Sequence, residues 1–340
     1  MSLSMPAKCF WIGALTVSAL IALRPCPAKS AEEYHIGPGK HEIGATLFEW
    51  QDEGRRRRVP VKLYFPQTNM GRFPVIVFSH GLGGSREGYA YLGRYWAAHG
   101  YFSLHLQHPG SDDSVWRGEL QPREALRRVI ADPRNSLDRV MDVRFALDQM
   151  EKLNCERGPF QGRMDLDKVG MAGHSFGAWT TQAVAGEVFF GPAGKSISWS
   201  EPRIRAAVIM SPSPPRQRDK LEEAFAGIKI PCLHMTGTLD DSPLGDTSAN
   251  ERRLPFDHIR GAEQYLITFI GGDHMIFSGR GLRAKEREKD AMFQRLICIS
   301  STAFWDAYLK GDEQAKAFLA DGLKRLLADA ALLERRNAAK

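Results

Sequence analysis

Three separated side chains in this 340-residue sequence have the types and order that nucleophilic acyl transfer requires. Ser175 lies in "KVGMAGHSFGAWTTQ" between Gly173 and Gly177, Asp240 in "MTGTLDDSP", and His274 in "IGGDHMIF". A serine hydroxyl is a poor nucleophile at neutral pH, so a base must take its proton and a carboxylate must orient that base. The chain order Ser, Asp, His matches this division of roles. Asp241 is the alternative acid, but a turn directly after a strand favours Asp240 and leaves Asp241 to cap or brace the loop. Asp273, beside the imidazole, is expected to support the loop that carries it.

GxSxG arises too often by chance to stand alone. Its context adds the information. An apolar run precedes Ser175 and helix-compatible residues follow, so the serine is expected at a strained strand-to-helix turn, with glycines two places either side letting other segments pass close. A tetrahedral intermediate also needs two backbone N–H donors aimed at its oxyanion. One belongs to the residue after the nucleophile, Phe176, and the other to a loop after an early strand. "VFSHGLGGS", Val77 to Ser85, supplies that loop, with Leu82 as donor. His80 and His174 flank these motifs without following the acid and are expected to pack or brace. His105, His108, His234 and His258 show no pairing at metal-ligand spacing. The expected site therefore uses no metal and no cofactor.

Elements able to position these residues follow from the hydrophobic pattern. A leading hairpin pairs "HEIGATLFEW" with "VPVKLYFP". Apolar runs then alternate with helical patterns: "FPVIVFS", "YAYLGRYWAAHG", "YFSLHLQ", "SLDRVMDVRFALDQMEKL", "KVGMA", "WTTQAVAG", "RAAVIMS", "QRDKLEEAFAG", "IPCLHMTG", "EQYLITFI" and a long helix from about Glu286 to Leu309. This alternation predicts an α/β fold: a mostly parallel central sheet with helices on both faces and an N-terminal antiparallel hairpin. Short all-apolar strands suit burial on both sides. Sites in such sheets lie at the carboxyl ends of strands, where all three side chains fall.

The composition, 43% hydrophobic and 25% charged, is that of a globular chain and excludes disorder as the default. Lys8 followed by "CFWIGALTVSALIAL" and "RPCPAKSA" has the pattern of a secretory signal over residues 1–30, too short for a membrane span. The expectation is an exported protein with one domain over residues 31–340 and no stable membrane span. Without Lys8, Arg24 and Lys29 the net charge falls from +6 to +3, which gives little support for a nucleic-acid partner. "RRRR" at Arg55 to Arg58 is expected as an exposed hairpin turn. Cys155, Cys232 and Cys298 lie beyond the signal; a single disulfide would leave one thiol over.

With "FSHGLGG", "GHSFGAW", "TGTLDDSP" and "GGDHMIF" in this order, the chain resembles the α/β-hydrolase superfamily over nearly all of its length after the signal. The first two stretches are similar to bacterial proteins grouped with dienelactone hydrolases and with platelet-activating factor acetylhydrolases. The resemblance implies a serine esterase acting on a small-molecule or lipid-like ester. Two departures stand out: dienelactone hydrolases use a cysteine where this chain has Ser175, and the acid of the acetylhydrolases follows the strand after the nucleophile helix, where this chain has "AAVIMSPSPP" without a carboxylate. Insertions near residues 107–135 and 187–203 are candidates to wall the pocket, with Trp116, Phe189, Phe190 or Trp199 facing substrate or packing the insertions onto the domain. Short or medium acyl esters are expected, and the sequence does not specify the oligomeric state.

Overall fold

A computed structural model describes residues 1, 34, 37–68, 70–191, 195–245, 247–278 and 284–338. The signal segment expected over residues 1–30 lies, apart from Met1, outside the described residues.

Strands β1 (Ile43–Asp52) and β2 (Arg57–Pro66) form the leading hairpin, in unbroken register from Ile43–Pro66 to Asp52–Arg57. The alternation follows: β3 (Phe73–Ser79), α1 (Ala90–Ala98), β4 (Phe102–Leu106), α2 (Pro122–Ala131), α3 (Pro133–Cys155), β5 (Met164–His174) and α4 (Phe176–Ala185). A small hairpin, β6 (Val188–Phe190) with β7 (Ser196–Ser198), precedes β8 (Ile204–Met210), α5 (Leu221–Phe225), β9 (Cys232–Leu239), α6 (Leu254–His258) and β10 (Gln264–Asp273). The chain closes with α7 (Ala284–Leu309), α8 (Glu313–Ala317), α9 (Leu323–Leu327) and β11 (Ala331–Arg336).

Nine strands form the main sheet in the order β1-β2-β4-β3-β5-β8-β9-β10-β11. The six from β4 to β10 run parallel, and β1, β2 and β11 run antiparallel at the edges. This is the α/β-hydrolase fold. Alternation along β3 sends Ile76 and Phe78 to one face and Val75 and Val77 to the other, all buried. The first face is covered by α1 and α7, where Trp96 and Trp305 meet edge to face and Trp96 Nε1 donates to Ser301 Oγ at 3.0 Å. The second is covered by α3, whose Val140, Val143, Leu147 and Met150 make one helical stripe. Each fully buried aliphatic side chain contributes about 1.5–3 kcal/mol. Helix α3 starts at Pro133 because the Asp132 carboxylate accepts the Arg134 N–H, and proline tolerates a first-turn position.

Some parts differ from expectation. The C-terminal β11 has no place in the expected alternation; it closes the β10 edge and leaves Leu332 exposed. The helix expected over "QRDKLEEAFAG" shrinks to a 3-10 turn and the single turn of α5. The arginine run does sit at a hairpin turn, yet Arg55 and Arg57 fold back onto the buried carboxylate of Asp142 at 2.8 and 2.9 Å. Burial there costs too much for Asp142 to be left unpaired, so the run ties the hairpin to α3. Cys155, Cys232 and Cys298 are free thiols, Cys155 exposed and the others buried. Among the described residues no helix is long and apolar enough to cross a membrane.

Candidate active site

The parallel strands deliver their carboxyl ends to one edge of the sheet. Ser175 is the residue between β5 and α4, with φ 56° and ψ −116°, a conformation that costs a non-glycine residue of the order of 1–3 kcal/mol. Crowding explains the flanking glycines. A Cβ on Gly173 would lie 2.2 Å from the Gly177 carbonyl oxygen, and one on Gly177 would lie 1.9 Å from that of Ser79. A side chain at Gly173 would push α4 away from β5, and one at Gly177 would push α4 off the end of β3. The Ser175 N–H donates to Met210 O at 2.9 Å, pinning the elbow to the end of β8, and the hydroxyl is left half-buried.

The loops after β9 and β10 bring the other two side chains to it. His274 Nε2 lies 3.0 Å from Ser175 Oγ, and His274 Nδ1 lies 2.7 Å from Asp240 Oδ1. Asp240 is fully buried and His274 nearly so. With Nδ1–H donating to the carboxylate, Nε2 is free to accept from the serine hydroxyl. A register break in β10 between Phe269 and Asp273 turns the chain toward the imidazole's position. Asp241 is exposed and accepts the Ala249 N–H at 2.9 Å, and Asp273 accepts the Met275 N–H at 2.8 Å, so both carboxylates brace loops.

Leu82 and Phe176 lie on the loop after β3 and at the first position of α4. Among the described residues neither backbone N–H donates to another loop or strand, as expected for Phe176 from its place among a helix's first donors. The Gly81 carbonyl shares a peptide plane with the Leu82 N–H, so bonds to one aim the other. That carbonyl accepts from His80 Nδ1 at 2.6 Å and from the Gly84 N–H at 3.0 Å. Arg139 touches both segments. Its buried guanidinium donates to His80 O at 2.7 Å and lies 4.2 Å from the centre of the Phe176 ring. Burial pulls the Arg139 pKa down to about 9, still above neutrality.

Several contributors carry no sequence motif. Ser211, at the end of β8 with φ 54°, donates its hydroxyl to Asp240 Oδ2, and Thr236 donates to the same oxygen at 2.8 Å. The hydroxyl of Tyr89 joins His174 Nδ1 at 2.7 Å to the Gly81 N–H at 3.4 Å, linking the elbow to the loop after β3. Only the strand-end position of Ser211 offered a sequence signal. The insertion aromatics pack: Trp116 Nε1 donates to Gly83 O at 2.8 Å, Phe189 and Trp199 meet Trp179 of α4 and each other at tilted or edge-to-face angles, and Phe190 lies under the Lys220 ammonium. Among the described residues no cluster of His, Cys, Asp and Glu is arranged to hold a metal ion.

Residues 39–121, which carry the hairpin, β3, β4 and the Leu82 loop, match the family model described as platelet-activating factor acetylhydrolase, isoform II. The chain resembles a platelet-activating factor acetylhydrolase-like serine esterase. A platelet-activating factor acetylhydrolase of Cavia porcellus is 26% identical over 149 residues, 36% of this chain. The match spans 34% of that protein, about a third of its length.

Proposed function

We propose that the chain is a serine hydrolase of carboxylic esters, with short to medium acyl chains, working through Ser175, His274 and Asp240. The observation that carries this reading is the half-buried Ser175 hydroxyl, held at a strained turn 3.0 Å from an imidazole nitrogen whose other nitrogen meets a buried carboxylate at 2.7 Å. In the first half-reaction Ser175 Oγ attacks the ester carbonyl as His274 Nε2 takes its proton. The Leu82 and Phe176 N–H groups receive the negative oxygen of the tetrahedral intermediate. Collapse expels the alcohol, which takes the proton from Nε2, and leaves an acyl-serine. Water then attacks, again giving its proton to Nε2, and the acid is released as that proton returns to Ser175. Asp240 holds the imidazole ring and balances its transient charge. The likeness to acetylhydrolases supports an ester as substrate and makes a lipid-like acetyl ester the first to try.

A fluorophosphonate should label Ser175, and p-nitrophenyl esters from acetyl to palmitoyl should be cleaved with a preference for the shorter chains. Absence of both adduct and turnover would leave a noncatalytic binding protein on this fold. Export belongs to the same proposal, and amino-terminal sequencing of protein recovered outside the cytoplasm should begin near residue 31.

A further inference from the structure

Arg252 follows a local device that turns it inward. Ser248 and Glu251 form a capping box that starts the 3-10 turn Ala249–Arg253, and Asp241 accepts the Ala249 N–H at its first residue. Arg253 then points outward to Asp257 and Glu334, whereas Arg252 is 1% exposed beneath the site. Its guanidinium donates to Asp240 O at 3.1 Å, Ser211 O at 3.2 Å, Pro212 O at 3.1 Å and Ser213 Oγ at 3.0 Å. It also approaches Asp240 Oδ1 to 3.6 Å and His274 Nδ1 to 3.5 Å. One planar cation thus ties the loop after β8 to the loop that carries the acid.

We propose that Arg252 is a positioning residue for the Asp240–His274 pair, fixing the acid's loop by its hydrogen bonds and opposing protonation of the imidazole by its charge. The inference rests on the ester-hydrolase reading of the site. The groups facing His274 are Asp240 from β9, Ser211 from β8, Ser175 from the elbow, His174 from β5 with ring centres 4.7 Å apart, and Arg252. Asp273, on its own segment, is turned to the Met275 N–H. A carboxylate beside an imidazole favours the charged ring, and a cation at similar range disfavours it. Without the guanidinium the carboxylate acts unopposed, so labelling of Ser175 should require a higher pH. A residue that only held the fold would change melting and leave that pH dependence in place.

The test is the rate of Ser175 labelling by a fluorophosphonate as a function of pH, on the full chain and on R252M and R252K, with folding followed by thermal melting. R252M should lose at least about tenfold in rate at neutral pH, with its acidic limb moved up by about one pH unit. R252K should keep the limb of the parent and lose rate, because an ammonium retains the charge without the fork that reaches both loops. Should R252M fail to fold, R252Q carries the same comparison, since its amide keeps donors toward the 211–213 segment. A neutral variant labelled at the parent rate with an unmoved limb would overturn the proposal, as would R252K shifting as far as the neutral variant. An unlabelled parent protein would sink the hydrolase reading itself.

Discussion

Among the described residues, two Ser–His–Asp hydrogen-bonded chains run through this molecule. In one, Ser175, His274 and Asp240 are joined at 3.0 and 2.7 Å. In the other, Ser79 Oγ meets His108 Nε2 at 2.9 Å and His108 Nδ1 meets Asp142 Oδ2 at 3.0 Å. Residue types and distances barely separate them, so the surroundings must. Ser79 ends β3, entirely buried, while Ser175 sits at a positive φ with a half-buried hydroxyl. His108 is ringed by charge: burial and the Arg139 cation outweigh the bond to Asp142 and push its pKa down to about 4. Burial resists ionisation of Asp142, but bonds from His108 and Arg57 outweigh it and hold the carboxyl down at about 2. The second chain is a brace between β3, the segment after β4 and α3. Identical functional groups become a candidate reactive centre or a rivet according to access and backbone strain.

Paired substitutions should separate the two chains. Ser175→Ala should cost about a millionfold in ester turnover, the scale seen when the nucleophile of such a unit is removed. Ser79→Ala should leave turnover within about tenfold and act on stability; a comparable loss of turnover in both variants would erase the distinction. Asp240→Asn should lower kcat about ten-thousandfold, by analogy with other triads, and should also lower the melting temperature, because the buried Arg252 loses its nearest anion. Asp142→Asn should reduce stability by about 3–5 kcal/mol, measured by urea unfolding, because it leaves Arg57 and Arg55 partly buried without their anion.

A smaller effect is expected in the pH dependence of melting. Burial pushes His105 to about 3 and His234 to about 4, alongside His108, all below the ordinary 6.5. These depressed values mean that the unfolded chain binds more protons below 6.5, so stability is complete above 6.5 and is lost as pH falls toward 4. Glu187 acts in the opposite sense. Burial raises its pKa to about 8, so the stability of its neutral form fades as pH rises from 4.5 through 8. Melting temperature should therefore peak near pH 6.5, and Glu187→Gln should flatten the alkaline side. A melting temperature still rising between pH 6.5 and 8.5 would contradict this reading of Glu187. The smallest effect should come from Trp116→Phe, which removes the bond to Gly83 O but keeps a smaller aromatic ring; a loss of about 1 kcal/mol and a few-fold in turnover is expected.

Legibility in the sequence followed locality. The parallel strands were readable because strands buried on both sides must be continuously apolar, and Gly173 and Gly177 were readable because the crowding at the elbow leaves no alternative. Edge strand β11 was not, since a half-exposed "ALLERR" looks like a helix end. The inward turn of Arg55 and Arg57 also escaped, because it depends on Asp142 far along the chain, and so did the hairpin β6–β7, whose three-residue strands are too short for alternation to show.

The amino-acid order alone determined the strand–helix alternation, the elbow and the sequence of nucleophile, acid and base candidates, since these follow from periodicity, turn sterics and side-chain chemistry within a few residues. Tertiary structure alone decided that Asp241 turns away to the Ala249 N–H, that Ser211 and Thr236 hold the Asp240 carboxylate while Arg252 donates to its backbone carbonyl, and that Ser79, His108 and Asp142 form a buried brace. Those outcomes depend on which loop ends meet and how far water is excluded, and neither quantity is a property of any short stretch of chain.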